Sequence, residues 1–351
     1  MLIGIPKEIK PEEGRVALIP DAAAQLTGQR HDVFIQSGAG IASGYSDEEY
    51  LQAGVKIVPD ASALYSSAEL IVKVKEPVEP ELSLLRKEHI LFSYLHLAAL
   101  PDLTHTLCSI GLKAIAFETV EMADGKLPLL APMSDIAGRL SVQIGTHLLH
   151  SSMGGKGILL GGVAAAPRGK VVILGGGMAG SNAARLASAL GAEVIVFDRN
   201  RDKMDALRQI GHNVTALYPH QSSIQRHVKA ADLLIGAVLV VAEKAPHLVS
   251  EDDVRQMQAG SVIIDISVDQ GGCIETTHPT SYKNPTFVQH GITHFGVTNM
   301  PGAVPRTASQ ALSASLIPFL SKLASSAENL SPPLLAGVNI DAGEIIHPAL
   351  K

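Results

Sequence analysis

The sequence predicts an α/β protein of two domains, each a mainly parallel sheet with flanking helices. Three observations carry this expectation. Short apolar, β-branched runs alternate with helix-like stretches along the whole chain. The alternation is most regular from Lys170 onward, where a glycine turn directly follows one such run. The 351 residues also exceed what a single core usually supports.

Taken in order, residues 2–5, 32–35, 70–74, 90–93 and 113–116 read as strands. Helical patterns fall between them at 20–27, 47–53 and 101–110. A second series follows: strand 171–174, helix 179–190, strand 193–197, helix 201–210 and strand 214–217. Residues 233–236, 261–265 and 293–297 read as further strands of the same sheet. The chain ends in a helix at 307–324, a Ser/Pro-rich stretch and a short tail. This order predicts one domain from residues 1–130 plus 306–351 and a second from 131–305, with the chain returning to the first.

Composition excludes several classes. Charged residues make up 18% of the chain and hydrophobic ones 46%, with a mean hydropathy of +0.22. So little charge on a folded protein predicts apolar surface covered by copies of itself, hence a homo-oligomer. The net charge is −6 and no basic run tracks a phosphate backbone, which argues against nucleic acid. The apolar runs are too short to span a bilayer, and MLIGIPKEIK has no secretory pattern. A cytoplasmic location and no membrane partner are therefore expected. Cys108 and Cys273 have no metal-ligand spacing and read as buried thiols, and no metal is expected.

The strongest local signal is Val171-Val-Ile-Leu-Gly175-Gly-Gly177-Met178-Ala179-Gly180. These glycines form G-x-G-x-x-G between a strand and a helix, the dinucleotide fingerprint of a Rossmann domain. Gly175 permits the tight turn, Gly177 lets a pyrophosphate approach the backbone, and Gly180 lets the helix sit close to the sheet. The helix N-terminus adds unpaired N–H groups and a positive dipole end. Asp198 closes the next strand, where a carboxylate can bond the adenosine ribose and would repel a 2′-phosphate. NAD is thus expected over NADP, although Arg199 and Arg201 follow at once. A strand–helix turn without a ligand is the bland alternative.

Beyond this fingerprint the chemistry comes from resemblance. Gly4-Ile-Pro-Lys-Glu8 with Arg15-Val-Ala-Leu-Ile-Pro20 resembles the N-terminal signature of the alanine dehydrogenase/transhydrogenase α-chain family. Further matches keep the family's order: Lys73-Val-Lys75-Glu-Pro77, Tyr94-Leu-His96, Ala131-Pro-Met-Ser134, Ile264-Asp-Ile-Ser-Val-Asp269-Gln-Gly-Gly-Cys273 and Thr298-Asn-Met-Pro301. Pro11, Ile19, Ala189, Tyr218-Pro-His220 and His278 depart from the family pattern.

The resemblance implies reversible oxidative deamination of L-alanine to pyruvate and ammonium with NAD, in an assembly that is a hexamer in relatives. It implies Arg15 and Lys75 as the clamp on the substrate carboxylate. A planar guanidinium suits that task. His96 and Asp269 become the acid/base pair, and a histidine titrates in the right range. Cofactor contacts are implied at Ser134, Met178, Ala179, Lys203, His220, Leu239, Ile266, Asp269, Asn299 and Met300, beside Gly175, Gly177, Gly180 and Asp198. Each has a plainer reading: Arg15 as a solvated loop charge, Lys75 as half of an edge-strand lysine pair with Lys73, and Asp269 as a turn former, with Asp265 the competing carboxylate. Closure of a cleft between the domains is expected, with the glycine-rich stretches at 154–162 and 175–180 as hinges. Three rivals stand beside this reading: a transhydrogenase soluble component, an enzyme for another amino acid, and a non-catalytic NAD-sensing module.

Overall fold

The computed structural model describes residues 1–238 and 246–351, so Leu239 lies outside the described residues. The chain divides into two compact units, Met1–Met133 with Gly302–Lys351, and Ser134–Pro301.

The first unit is built on an eight-stranded sheet. Its strands are β1 (Leu2–Ile5), β2 (Asp32–Gln36), β3 (Lys56–Val58), β4 (Leu70–Val72), β5 (Ile90–Ser93) and β6 (Lys113–Ala116). The strands of the second unit are β7 (Lys170–Leu174), β8 (Glu193–Phe197), β9 (Val214–Leu217), β10 (Leu233–Gly236), β11 (Val262–Asp265), β12 (Thr286–Gln289) and β13 (Ile292–Phe295). Two late strands, β14 (Val338–Asp341) and β15 (Glu344–Ile345), complete the first sheet, whose order is β15-β14-β6-β5-β4-β1-β2-β3. From β3 to β6 every neighbouring pair is parallel, while β14 joins β6 antiparallel. Central strands covered on both faces must be apolar throughout. Accordingly every residue of β4 is buried.

Local chemistry sets the helix ends. Pro20 and Pro101 open the helices Pro20–Gly28 and Pro101–Ile110, where a missing N–H costs nothing. Ser46 and Glu49 form a capping box at Asp47–Gln52. Gly111 ends Pro101–Ile110 in the left-handed region, as a helix C-terminus favours.

The second sheet has the order β12-β13-β11-β10-β7-β8-β9, parallel except for edge strand β12. This is the doubly wound order, in which the strand sequence reverses between β7 and β10. Ligands in such sheets bind outside the strand carboxyl ends at that reversal. The helix Met178–Ala189 follows β7, and Asn200 caps Arg201–Arg208 through its side chain. The helix Ala131–Leu148 carries Gly138 and Gly145, where a Cβ would stand 2.1 Å from the Ala179 carbonyl oxygen and 2.5 Å from the Leu233 side chain. Close approach to the glycine turn is therefore built into that helix.

Several expectations need correction. The strand expected at 70–74 stops at Val72, because the Val74 N–H donates to the Glu8 carboxylate (2.6 Å) instead of to a neighbouring strand. β4 is also central, so Lys73 and Lys75 are not an edge pair. Cys273 is buried, but Cys108 is half-buried on the helix Pro101–Ile110. Past 324, where the sequence reads as a Ser/Pro-rich stretch and a short tail, the chain supplies the helix Pro332–Ala336 and β14 and β15. In 154–162, Gly155 and Gly161 allow backbone contact; a Cβ there would lie 2.2 Å from the carbonyl oxygens of Leu148 and Leu190 respectively. No helix of the described residues is long and apolar enough to cross a membrane.

Candidate functional site

In the first unit the candidate residues gather at the carboxyl ends of β1, β4 and β5. Arg15 is buried, with 3% of its surface exposed. The Glu13 carboxylate takes its Nε (2.7 Å) and Nη2 (2.5 Å), which fixes the plane of the guanidinium, and Nη1 lies 3.1 Å from the Met133 sulfur. Glu13 is held below the usual carboxylate range by Arg15, against the upward push of burial. Sequence reasoning did not single out Glu13. Its position two residues before Arg15 in the same motif is the signal that was available.

Lys73 and Lys75 part company. The Lys73 ammonium is fully buried between Glu81 (2.8 Å) and Glu8 (3.5 Å), and Tyr65 donates to the same Glu81 (3.1 Å). Burial pushes the Glu8 carboxyl up to about 7, against the pull of Lys73. This cluster shapes the loop after β4. Lys75 is half-buried, and burial first, then the Arg15 charge, lowers its pKa. Glu13 and Glu76 act on Lys75 in the opposite sense, so the two cations already have carboxylates beside them, and a further anion would add to these.

His96 follows β5 in the left-handed region, with φ of 51°. A bulky side chain rarely adopts that conformation unless the surroundings impose it. Here the Glu118 carboxylate imposes it, accepting the backbone N–H groups of Leu95 (3.1 Å) and His96 (2.6 Å). The imidazole is half-buried, and its ring is stacked against Tyr94 with centroids 6.1 Å apart. Glu118, too, went unremarked in the sequence, because its contact spans many residues.

In the second unit a cavity of about 570 Å³ opens at the strand reversal. Of the expected cofactor residues, Ser134, Gly175, Gly177, Met178, Ala179, Asp198 and Lys203 line it. Gly180 lies behind the turn, where a Cβ would come within 1.8 Å of the Gly175 carbonyl oxygen. Gly175 has φ of 96°, and a Cβ there would meet the Ala237 carbonyl oxygen at 2.5 Å. A Cβ on Gly177 would meet nothing within 4 Å. The Asp198 carboxylate accepts the N–H groups of Gly176 and Asn200, both at 2.8 Å, so it is anchored beside the glycine turn.

The other expected contacts are not among the described residues that line this cavity. His220 is exposed at the start of the helix Gln221–Lys229, while its neighbours Tyr218 and Pro219 line the cavity. Asp269 is exposed in the 3₁₀ turn Val268–Gln270, and Ile266 is half-buried just before it. Asn299 is half-buried and Met300 buried, its carbonyl accepting from the Tyr282 hydroxyl (2.8 Å). Ala237 and Val238 also line the cavity and were not foreseen. They directly follow β10, so the strand order would have pointed to them.

The residues present fit a dinucleotide. The volume suits a sizeable ligand, the turn leaves open space at Gly177, and Asp198 stands fixed beside it. Fold and glycine turn together define a two-domain protein of the Rossmann dinucleotide-binding class. Comparison narrows this. Residues 4–137 match the alanine dehydrogenase/PNT N-terminal domain, and residues 141–348 match its C-terminal domain. The chain belongs to the alanine dehydrogenase/PNT family.

Alanine dehydrogenase from Mycolicibacterium smegmatis is 49% identical over 92% of this chain and 88% of its own length. Alanine dehydrogenase from Bacillus subtilis is 46% identical over 100% of this chain and 94% of its own. A solved L-alanine dehydrogenase superposes with a TM-score of 0.96 at 50% identity, covering 100% of this chain and 98% of that one. A transhydrogenase from Sinorhizobium meliloti shares the fold (TM-score 0.86, 24% identity, covering 99% of this chain and 100% of that one).

Proposed function

We propose that this chain is an NAD-dependent L-alanine dehydrogenase: L-alanine + NAD⁺ + H₂O ⇌ pyruvate + NH₄⁺ + NADH + H⁺. What supports the substrate assignment is the likeness to alanine dehydrogenases along the whole chain, beside two cations in the first unit, the buried Arg15 and the half-buried Lys75. A carboxylate accepts hydrogen bonds from such groups.

In this reading Arg15, its plane set by Glu13, and Lys75 hold the substrate carboxylate and leave Cα and the amine presented to the reacting groups. NAD⁺, held at the glycine turn, would supply the acceptor for the hydride that leaves Cα. His96 bonds the oxygen that becomes the pyruvate carbonyl and carries its proton. Asp269 takes a proton from the attacking water and returns one to the departing ammonia. Holding substrate and cofactor against one another would supply much of the acceleration. Gly175, Gly177 and Gly180 shape the pyrophosphate cradle, Met178 and Ala179 offer helix N-terminal N–H groups to it, and Asp198 takes the ribose hydroxyls. Ser134, Lys203, His220, Leu239, Ile266, Asn299 and Met300 are assigned to the rest of the cofactor.

NADH formation with a panel of L-amino acids tests the reading. Alanine should be turned over best, and NADP⁺ should serve poorly. Absence of turnover with alanine, with NADH still bound, would favour a transhydrogenase-type component. His96→Ala should lower kcat by roughly 10²-fold or more while NADH binding survives.

The assembly we propose is a homo-oligomer, a hexamer, working in the cytoplasm. The low charge supports self-association, as do the exposed side chains of Met153, Leu159 and Val163. A sedimentation measurement that returns a monomer would refute it.

A further inference from the structure

We infer that Asp265 is a positioning residue: its carboxylate clasps the two ends of the loop that carries Asp269 and thereby sets where Asp269 stands. This rests on the acid/base reading of Asp269.

Asp265 is the last residue of β11 and is 1% exposed. Oδ1 accepts the N–H of Ser267 at 3.0 Å, on the near side of the 3₁₀ turn Val268–Gln270. Oδ2 accepts the N–H of Cys273 at 2.9 Å and of Ile274 at 3.3 Å, on the far side of that turn. The Thr277 hydroxyl lies 2.9 Å from the same oxygen and 2.8 Å from the Ile274 carbonyl, with one proton to give. One side chain thus closes residues 266–273 into a ring, and Asp269 sits on it.

Two glycines make the room. A Cβ on Gly236, in the neighbouring strand β10, would lie 2.6 Å from Oδ1. A Cβ on Gly272, with φ of 72°, would lie 2.8 Å from Oδ2. Inside the ring the Gly271 N–H donates to Val268 (3.2 Å) and the Gly272 N–H to Ser267 (3.1 Å). Neighbouring segments hold each end separately, through Ile266 N–H to Gly236 (2.8 Å) and Leu248 N–H to Cys273 (2.8 Å), and the carboxylate ties the two ends to one another. A purely reactive carboxylate would face the ligand; this one spends both oxygens on backbone donors.

Asparagine at 265 keeps one acceptor but replaces the other with an NH₂ that faces an N–H donor. Asp265→Asn should lower kcat roughly 10- to 100-fold, the usual cost of misplacing a group by about 1 Å. The pyruvate KM should stay within about threefold, because Arg15 and Lys75 are untouched. The deciding readout is the double variant. If Asp265 acts through Asp269, Asp265→Asn/Asp269→Asn should be no slower than Asp269→Asn alone.

Multiplying losses, with Asp269→Asn itself damaging, would overturn the positioning role and leave Asp269 in the mechanism. A silent Asp269→Asn would overturn the acid/base reading and this proposal with it. Should Asp265→Asn not fold, Thr277→Val keeps the carboxylate and removes one partner. It should cost kcat about 3- to 10-fold and lose that effect in the Asp269→Asn background, and an unchanged kcat would overturn the proposal.

Discussion

At Lys73 the ammonium is sealed between Glu8 and Glu81, whereas at Lys75 it is half-buried and shares its surroundings with Arg15. The sequence Lys-Val-Lys presents the two alike; burial and partners separate them. Because burial and Arg15 lower its pKa, Lys75 loses its proton at a lower pH than an ordinary lysine. Removing that charge weakens the grip on an anion, so the pyruvate KM should climb as pH rises on the alkaline side. Lys75→Arg, which stays protonated, should flatten that climb, measured by steady-state kinetics across the alkaline range. A climb unchanged in the variant would assign it to another group. Arg15→Ala should raise the pyruvate KM by roughly 10²-fold or abolish turnover, since charged hydrogen bonds are the strong ones. Arg15→Lys should rescue little because the fork Glu13 holds is lost. Arg15 and His96 stood out in the sequence through their motifs. Glu13 and Glu118 did not, because each works by gripping another residue, and a grip is visible only in space.

The glycine turn can be dissected one position at a time. At Gly180 the close neighbour is the protein's own backbone, so Gly180→Ala should destabilise the second unit by about 1–3 kcal/mol, an overpacking cost. At Gly177 a methyl would enter open space with an unstrained φ of −68°, so stability should shift by less than about 1 kcal/mol. If a pyrophosphate approaches there, Gly177→Ala should still weaken NADH binding by at least roughly tenfold, read by fluorescence titration. Unaltered affinity would take the phosphate away from this position. Strands that are compact, mostly apolar runs, such as β5, β6 and β8, were legible to both ends. β3, with three residues, and β14, with a polar Asn339 at its centre, were not. Such strands exist because a distant partner accepts them: β14 pairs with β6, and the Asn339 amide donates to Thr119 (2.7 Å) and to the Gly337 carbonyl (3.0 Å). Local propensity carries no trace of that pairing.

Across the whole molecule the apolar mass is divided between the units, and the tail belongs to the first of them. Ile340 of β14 is fully buried in a core with Leu64, Leu91, Leu107 and Ala114. Ile340→Ala should therefore cost about 2–5 kcal/mol in urea unfolding and leave NADH affinity intact, because the glycine turn belongs to the other unit. Loss of both together would show that the units stand or fall as one. The two-domain α/β class was readable from alternation and glycine punctuation, whereas the antiparallel closing of the first sheet was not. That closing has a consequence for synthesis. A ribosome releases β6 long before β14 exists, so the nascent first unit waits with an open strand edge while Ser134–Pro301 emerges in one uninterrupted piece. The second unit can then fold first, and the growing chain carries a template for unwanted strand pairing until β14 arrives.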